Sequence, residues 1–274
     1  MRSAADTTWK TIDHEPLLDD KVEAAYHLAL LDEPYRKRVS WQLHRGADGQ
    51  ADAAAAFYNL NRPTIVFLLG RPDALRKCLT RGEPPRLAYA AYFPEHTEVL
   101  NELYRIPRPV KMQRMALNRS DFALSPRDFK EDQPKIGAEP VVLRGAHLEL
   151  LTELYSLEPG FRPDQHQYAT GGYMGIFGDG KLLTAAGTHF ISGERSFAMI
   201  GNVITRPSHR RLGLARRVVV SQLARLFNRV DAVCLNVSTI NEAAVKMYES
   251  LGFSAHCTYY EGAGLLRGTR ANAV

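Results

Sequence analysis

The sequence predicts an α/β protein. Its C-terminal part is built on a mixed, mostly antiparallel central sheet flanked by helices, and a second α/β domain precedes it. Three observations carry that prediction. Three strand-like segments follow one another closely after residue 172, joined by turn-forming dipeptides. A helix-periodic segment then leads to a short apolar strand, the layout of a parallel crossover. Upstream, residues 17–120 alternate between helical and strand-like spacing.

Taken in order, Leu17 to Val39 carries apolar positions at helical spacing, among them Val22, Tyr26, Ala29 and Leu30. Pro63 opens the apolar run Thr64–Leu69, a buried strand closed by Gly70. Asp73–Leu79 reads as a helix, Arg86–Phe93 as a strand and Glu95–Tyr104 as a helix. Val110–Leu117 alternates as a third strand. A polar, proline-containing stretch follows, which places an N-terminal α/β domain at 1–125, a linker at 126–140 and a second domain at 141–274.

In that second domain Gly145–Leu157 reads as a helix, followed by the polar loop EPGFRPDQHQYATGG. Tyr173–Phe177, Lys181–Phe190 and Ser196–Ile204 are the three strands. Asp179-Gly180 is a strong hairpin signal because the turn demands positive φ, and Ser192-Gly193 marks the next turn. Leu214–Asn228 is an amphipathic helix with Ala215, Val218, Val219, Leu223, Leu226 and Phe227 on one face. Ala232–Val237 is the crossover strand. Asn241–Leu251 is a helix ended by Gly252, and Phe253 onward is strand-like.

Composition narrows the function classes. The chain has 274 residues, 45% hydrophobic and 24% charged, which is ample for two soluble domains. A net charge of +5 suits a polyanionic small molecule as well as it suits nucleic acid and by itself decides nothing, but no block of like charge resembles a nucleic-acid-binding arm. Cys78, Cys234 and Cys257 are odd in number, far apart and outside any zinc spacing, so neither a metal site nor a disulfide framework is expected. The N-terminal residues lack the apolar core of a signal peptide, and the apolar runs fall short of the roughly 20 residues of a membrane span. A cytoplasmic enzyme is expected, acting without nucleic acid or membrane.

The chemistry concentrates in residues 201–220, GNVITRPSHRRLGLARRVVV. A strand stops at Pro207 and a basic loop runs straight into a helix start. Gly213 lets the backbone approach a ligand, and small Ala215 leaves the first turn uncrowded. Unpaired amides at a helix N-terminus make an anion site. Arg210, Arg211, Arg216 and Arg217 add positive charge to what is physically a pyrophosphate cradle. Neither the Walker spacing nor the GxGxxG fingerprint occurs here.

Arg210-Arg-Leu-Gly213-Leu-Ala215 resembles the R/Q-x-x-G-x-G/A signature of the GNAT superfamily of N-acetyltransferases. Asn241-Glu-Ala-Ala244-Val-Lys-Met-Tyr248-Glu-Ser-Leu-Gly252-Phe253 is similar to the N-x-x-A-x-x-x-Y-x-x-x-G-F segment of the same family. The resemblance covers about residues 145–262. It implies an acyl-CoA co-substrate, acetyl-CoA or another, in a cleft where two parallel strands splay. Val203, Ile204 and Thr205 would pair with the pantetheine arm, and Arg211, Leu212, Gly213, Leu214 and Ala215 would receive the pyrophosphate, with Arg210 and Arg216 beside them. Asn241 and Ala244 would line the region. Tyr248, a phenol of reference pKa about 10, would protonate the leaving thiolate. A neutral amine would attack the thioester directly in a ternary complex.

The base is not legible. The central strand SFAMIGNVIT holds no carboxylate, and Asn202 could hold a water but not act as base. His189 titrates in a useful range but reads better as a strand-end histidine, which favours a water-relayed proton. Cys234 reads as a buried structural thiol. By family analogy Asp164, His166 and Tyr168 flank the acceptor, a small-molecule amine or amino-acid-like compound. Residues 60–120 look similar to the degenerate N-terminal half of glycine N-acyltransferase-like proteins, on layout alone. Two alternatives stay open: a non-catalytic acyl-CoA sensor, and a tandem-domain transferase using charged tRNA. Acceptor identity, acyl length and oligomeric state are not encoded legibly.

Overall fold

The computed structural model describes residues 16–33, 35–59, 63–81, 83–123, 139–158 and 172–268. In chain order these form α1 (Ala25–Leu31), β1 (Val39–Arg45), β2 (Ala51–Tyr58), β3 (Thr64–Gly70), α2 (Pro72–Leu79), β4 (Leu87–Tyr92), α3 (Thr97–Leu103), β5 (Tyr104–Arg105) and β6 (Val110–Asn118). They continue with β7 (Val141–Val142), α4 (Leu148–Ser156), β8 (Tyr173–Gly178), β9 (Lys181–Ser192), β10 (Phe197–Thr205), α5 (Leu214–Leu226), β11 (Ala232–Ser238), α6 (Glu242–Glu249) and β12 (Ser254–Leu266).

Two compact units result, and neither is continuous in sequence. The first takes residues up to Arg114, Val237–Asn241 and those from Ala255 onward. The second takes Met115–Asn236 and Glu242–Ser254. A division at 126–140 is contiguous, whereas the chain exchanges its last strand. β12 pairs antiparallel with β4, from Tyr260 opposite Tyr92 to Leu265 opposite Leu87, which draws the C-terminal segment into the first unit. Residues 124–138, most of the expected linker, lie outside the described residues.

In the first unit β1, β2 and β3 form an antiparallel meander, and α2 carries the chain over to β4, parallel to β3. Sequence periodicity finds β3, α2, β4 and α3 but not β1 or β2, and it extends α1 too far at both ends. The cause is the run Ala53–Ala56, whose low strand propensity hides a fully buried strand. Ala54 and Ala56 pack into an apolar cluster with Leu28, Trp41 and Phe67, while Ala53 and Ala55 pack into another with Leu75 and Leu79. Small side chains let a helix or neighbouring strand approach each face closely.

In the second unit β8, β9 and β10 form the expected meander. Asp179 (φ +49°) and Gly180 (φ +71°) supply the two positive φ angles of the first turn. The next turn is longer than Ser192-Gly193: the left-handed residue is Ser196 (φ +53°), whose N–H donates to Gly193 O at 3.2 Å. β11 lies parallel to β10 after the α5 crossover. Leu151, Leu154 and Tyr155 of α4 pack on Tyr173, Leu182, Ala185 and Ile204. α5 buries Leu214, Val218, Val219, Leu223 and Leu226, each contributing about 1.5–3 kcal/mol of transfer free energy.

Among the described residues no helix is long and apolar enough to cross a membrane, and no His, Cys, Asp or Glu grouping could hold a metal ion. Cys78 and Cys234 are buried and Cys257 half-buried, and none of the three is in a disulfide.

Candidate functional site

In the second unit the β10 ladder breaks on both of its sides. β10 and β11 pair in parallel only from Phe197 opposite Ala232 to Ile200 opposite Leu235, so β10 runs on for five residues without a β11 partner. On its other side β10 pairs with β9 in a broken register. Gly201 opposes Gly187 and Ile204 opposes Ala185, which leaves Asn202 and Val203 facing Ala186 alone. That is a β-bulge, and Asn202 takes the left-handed conformation (φ +53°) that asparagine tolerates better than most residues. The backbone at 202–203 is thereby out of the ladder on both sides, with polar groups that require another partner.

A second bulge lies directly alongside. Phe190 opposes Met199 and Thr188 opposes Ile200, so His189 is the extra residue on β9. Its imidazole lies over Gly201, where a Cβ would come within 2.2 Å of Nε2. His189 therefore does not end the strand, as its sequence position suggests, but sits within β9 against the opposing bulge.

Beyond β10 the chain turns into α5 through a tight loop. Arg211 (φ +64°) and Gly213 (φ +72°) are both left-handed, and Gly213 is the residue preceding the first helical turn. Among the described residues no side chain caps that helix end, and no acidic residue in its first turn compensates the helix dipole. Arg210 is extended, its Nε donating to Thr205 O at 3.3 Å and its guanidinium pairing with Glu158. Arg211 is exposed, Leu212, Gly213, Ala215 and Arg216 are partly covered, and Leu214 is buried. Ile204 is buried between half-buried Val203 and Thr205, and its carbonyl accepts from Thr184 Oγ1 at 2.7 Å.

Because β10 and β11 are parallel neighbours, α5 and α6 both begin beyond the carboxyl ends of adjacent strands, where α/β sheets bind ligands. Asn241 is exposed and immediately precedes α6, Ala244 is half-buried in it, and Tyr248 is buried one turn further on. Burial pushes the Tyr248 phenol well above its ordinary pKa, so it stays protonated at neutral pH. Its ring meets Phe253 edge-on at 5.8 Å. Cys234 pairs with Met199 in the fully buried part of β11. Asp164, His166 and Tyr168 lie outside the described residues.

Sequence reasoning overlooked how the bulge is held. Tyr155 on α4 donates its hydroxyl to Asn202 O, and Asn202 Nδ2 donates to Tyr173 Oη at 2.9 Å. The two rings meet edge-on at 6.3 Å. The available signal was Gly201-Asn202 inside a strand pattern, a bulge marker; the tyrosine partners, 47 and 29 residues away, had none.

Residues 173–261 match the protein family described as FR47-like protein. No curated protein matches the chain. Among solved structures, a Drosophila protein aligns with a TM-score of 0.65 at 14% identity, over 92% of this chain and 90% of that one. A GCN5-related N-acetyltransferase from Kribbella flavida aligns at 0.58 and 16% identity, over 92% and 96%. A tandem GNAT protein from the clavulanic acid biosynthesis pathway aligns at 0.54 and 14% identity, over 91% and 88%. At such identities the likeness is one of fold.

Proposed function

We propose that this chain, which carries a GNAT-superfamily domain, transfers an acyl group from an acyl-CoA, acetyl-CoA first, to a primary amine. The observation that carries this reading is the run of β10 backbone at 202–203, outside the strand ladder on both sides and followed, past the end of the strand, by the N-terminus of α5. Backbone amides held outside the ladder suit the carbonyls of the amide-bearing pantetheine arm, and the helix start with Gly213 suits a pyrophosphate.

In this reading Val203, Ile204 and Thr205 hold the pantetheine and orient the thioester carbonyl. Arg211, Leu212, Gly213, Leu214 and Ala215 meet the pyrophosphate, with Arg210 and Arg216 beside them, and Asn241 and Ala244 line the approach. The neutral amine attacks the thioester carbon. The tetrahedral intermediate expels the thiolate, which takes the Tyr248 phenol proton, and the ammonium proton leaves through water to restore the phenol. The acceptor is a small amine or amino-acid-like compound, and the protein works in the cytoplasm without nucleic acid or membrane.

The first unit is read as a GNAT-like repeat without a donor site. Its order, a meander β1-β2-β3, crossover α2, parallel β4, then α3, repeats that of β8-β9-β10, α5, β11, α6. Only Arg71 separates β3 from α2, which begins at Pro72, so there is no room for a glycine-and-arginine phosphate loop.

Calorimetric titration of acetyl-CoA tests the donor assignment, wild type beside Gly213→Glu. Binding with a Kd on the order of micromolar is expected, and more than tenfold weaker binding in the variant, whose side chain strains a left-handed position and repels phosphate. A folded wild type that binds no acetyl-CoA overturns the reading and points to charged tRNA as donor. Given binding, thiol release with a panel of amines should fall about 10²-fold or more in Tyr248→Phe. Binding without turnover on any amine would favour a sensor instead.

A further inference from the structure

We infer that Tyr155 and Tyr173 are positioning residues: together they clamp Asn202 in its left-handed conformation and so fix the bulge that presents the 202–203 backbone to the acyl end of the donor. This rests on the acyl-CoA reading of the same strand.

The geometry is specific. Asn202 is held at both of its polar ends, its carbonyl by Tyr155 and its side-chain amide by Tyr173. A left-handed asparagine costs about 1 kcal/mol or more relative to ordinary strand backbone, and two hydrogen bonds at about 0.5–1.5 kcal/mol each offset that cost. The clamp is itself rigid. Tyr173 lies on β8 against Gly187, where a Cβ would come within 2.7 Å of the ring, so the glycine admits the aromatic to the sheet surface. Tyr155 is packed into the α4 cluster with Leu151, Leu154 and Ile204. Burial raises the Tyr155 phenol well above its ordinary pKa, and the Tyr173 hydroxyl beside it adds to the effect, so Tyr155 remains a donor across the working pH range. Two tyrosines from separate elements thus converge on one half-buried strand residue.

A merely structural role would lower stability and leave ligand discrimination alone. A positioning role separates the two halves of the donor. Acetyl-CoA engages the bulge through its pantetheine and thioester. Adenosine 3′-phosphate 5′-diphosphate, the nucleotide end, engages only the α5 loop. The experiment measures both ligands by calorimetry in wild type, Tyr155→Phe, Asn202→Ala and Asn202→Gly, with hydrogen–deuterium exchange of the segment 199–205 in the ligand-free proteins.

Tyr155→Phe and Asn202→Ala should each weaken acetyl-CoA by about tenfold, corresponding to loss of one to two hydrogen bonds, while the nucleotide changes less than about twofold. Exchange across 199–205 should accelerate in both. Asn202→Gly, which takes positive φ freely and keeps the carbonyl for Tyr155, should recover most of the acetyl-CoA affinity. Unchanged acetyl-CoA binding and exchange in Tyr155→Phe and Asn202→Ala overturns the clamp. So does equal loss of both ligands in a folded variant. Wild type that binds neither ligand refutes the acyl-CoA reading, and with it any donor-presenting role, whereas accelerated exchange alone would leave the tyrosines as a structural clamp only.

Discussion

Gly201→Ala probes the paired bulges directly. Gly201 does not have positive φ, so an alanine there meets no backbone strain. Its Cβ would, however, lie 2.2, 2.8 and 3.1 Å from Nε2, Cδ2 and Cε1 of His189. Three ring atoms inside van der Waals contact force the imidazole to turn or β9 to shift, an overpacking cost of about 1–3 kcal/mol. Against this, replacing glycine by alanine restricts the unfolded chain and stabilises by about 0.4–1 kcal/mol. The net expectation is destabilisation by about 1.3 kcal/mol, within limits of about 0–2.6 kcal/mol. In a His189→Ala background the clash is gone and only the second contribution remains, so the substitution should become neutral or stabilising. The coupling between the two sites should therefore equal the overpacking cost. Both tryptophans, Trp9 and Trp41, precede the second unit, so intrinsic fluorescence reports the wrong region. Urea titration read by hydrogen exchange in peptides covering 173–205 reports the right one. If Gly201→Ala has the same effect with and without His189, the packing of His189 on Gly201 is not what fixes this residue as glycine.

Acid should weaken the first unit. Burial, with the Arg114 charge in second place, pushes His27 down to about 3, so below pH 6.5 the unfolded imidazole takes a proton that the native one refuses. Stability is unaffected by this group above pH 6.5 and declines as pH falls toward 3, by about 2 kcal/mol at pH 5. His27→Gln should flatten the decline in urea melts followed by fluorescence, which Trp41 reports from 5.9 Å away, leaving the smaller slope of buried His96; an unaltered slope refutes the assignment. The Arg210–Glu158 pair is largely exposed, so its intrinsic worth is small, about 0–1 kcal/mol. In the proposed site Glu158 competes with the pyrophosphate for Arg210, and Glu158→Gln should tighten acetyl-CoA by about two- to fivefold at low salt. Equal or weaker binding by calorimetry would remove Arg210 from the donor site.

Much of the second unit was legible in the amino-acid order because its signals are local. The Asp179-Gly180 turn and the α5 periodicity each act within one or two turns of chain, and the backbone angles at 179 and 180 match. The same locality made the Arg210–Ala215 and Asn241–Phe253 motifs readable. Tertiary structure decided what depends on partners distant in sequence. Ala53–Ala56 is a strand because both of its faces are covered by closely approaching clusters, not because alanine prefers that state. The last strand joins the first unit because its ladder partner is β4, more than 160 residues upstream. Asn202 is left-handed because two tyrosine hydroxyls and a broken register hold it there, and His189 lies within the sheet because a glycine opposite leaves room for its ring. Turns, caps and helical faces are written by neighbours a few residues apart, whereas bulges and strand exchange are settled only when long-range hydrogen bonds choose among registers that the local sequence permits equally.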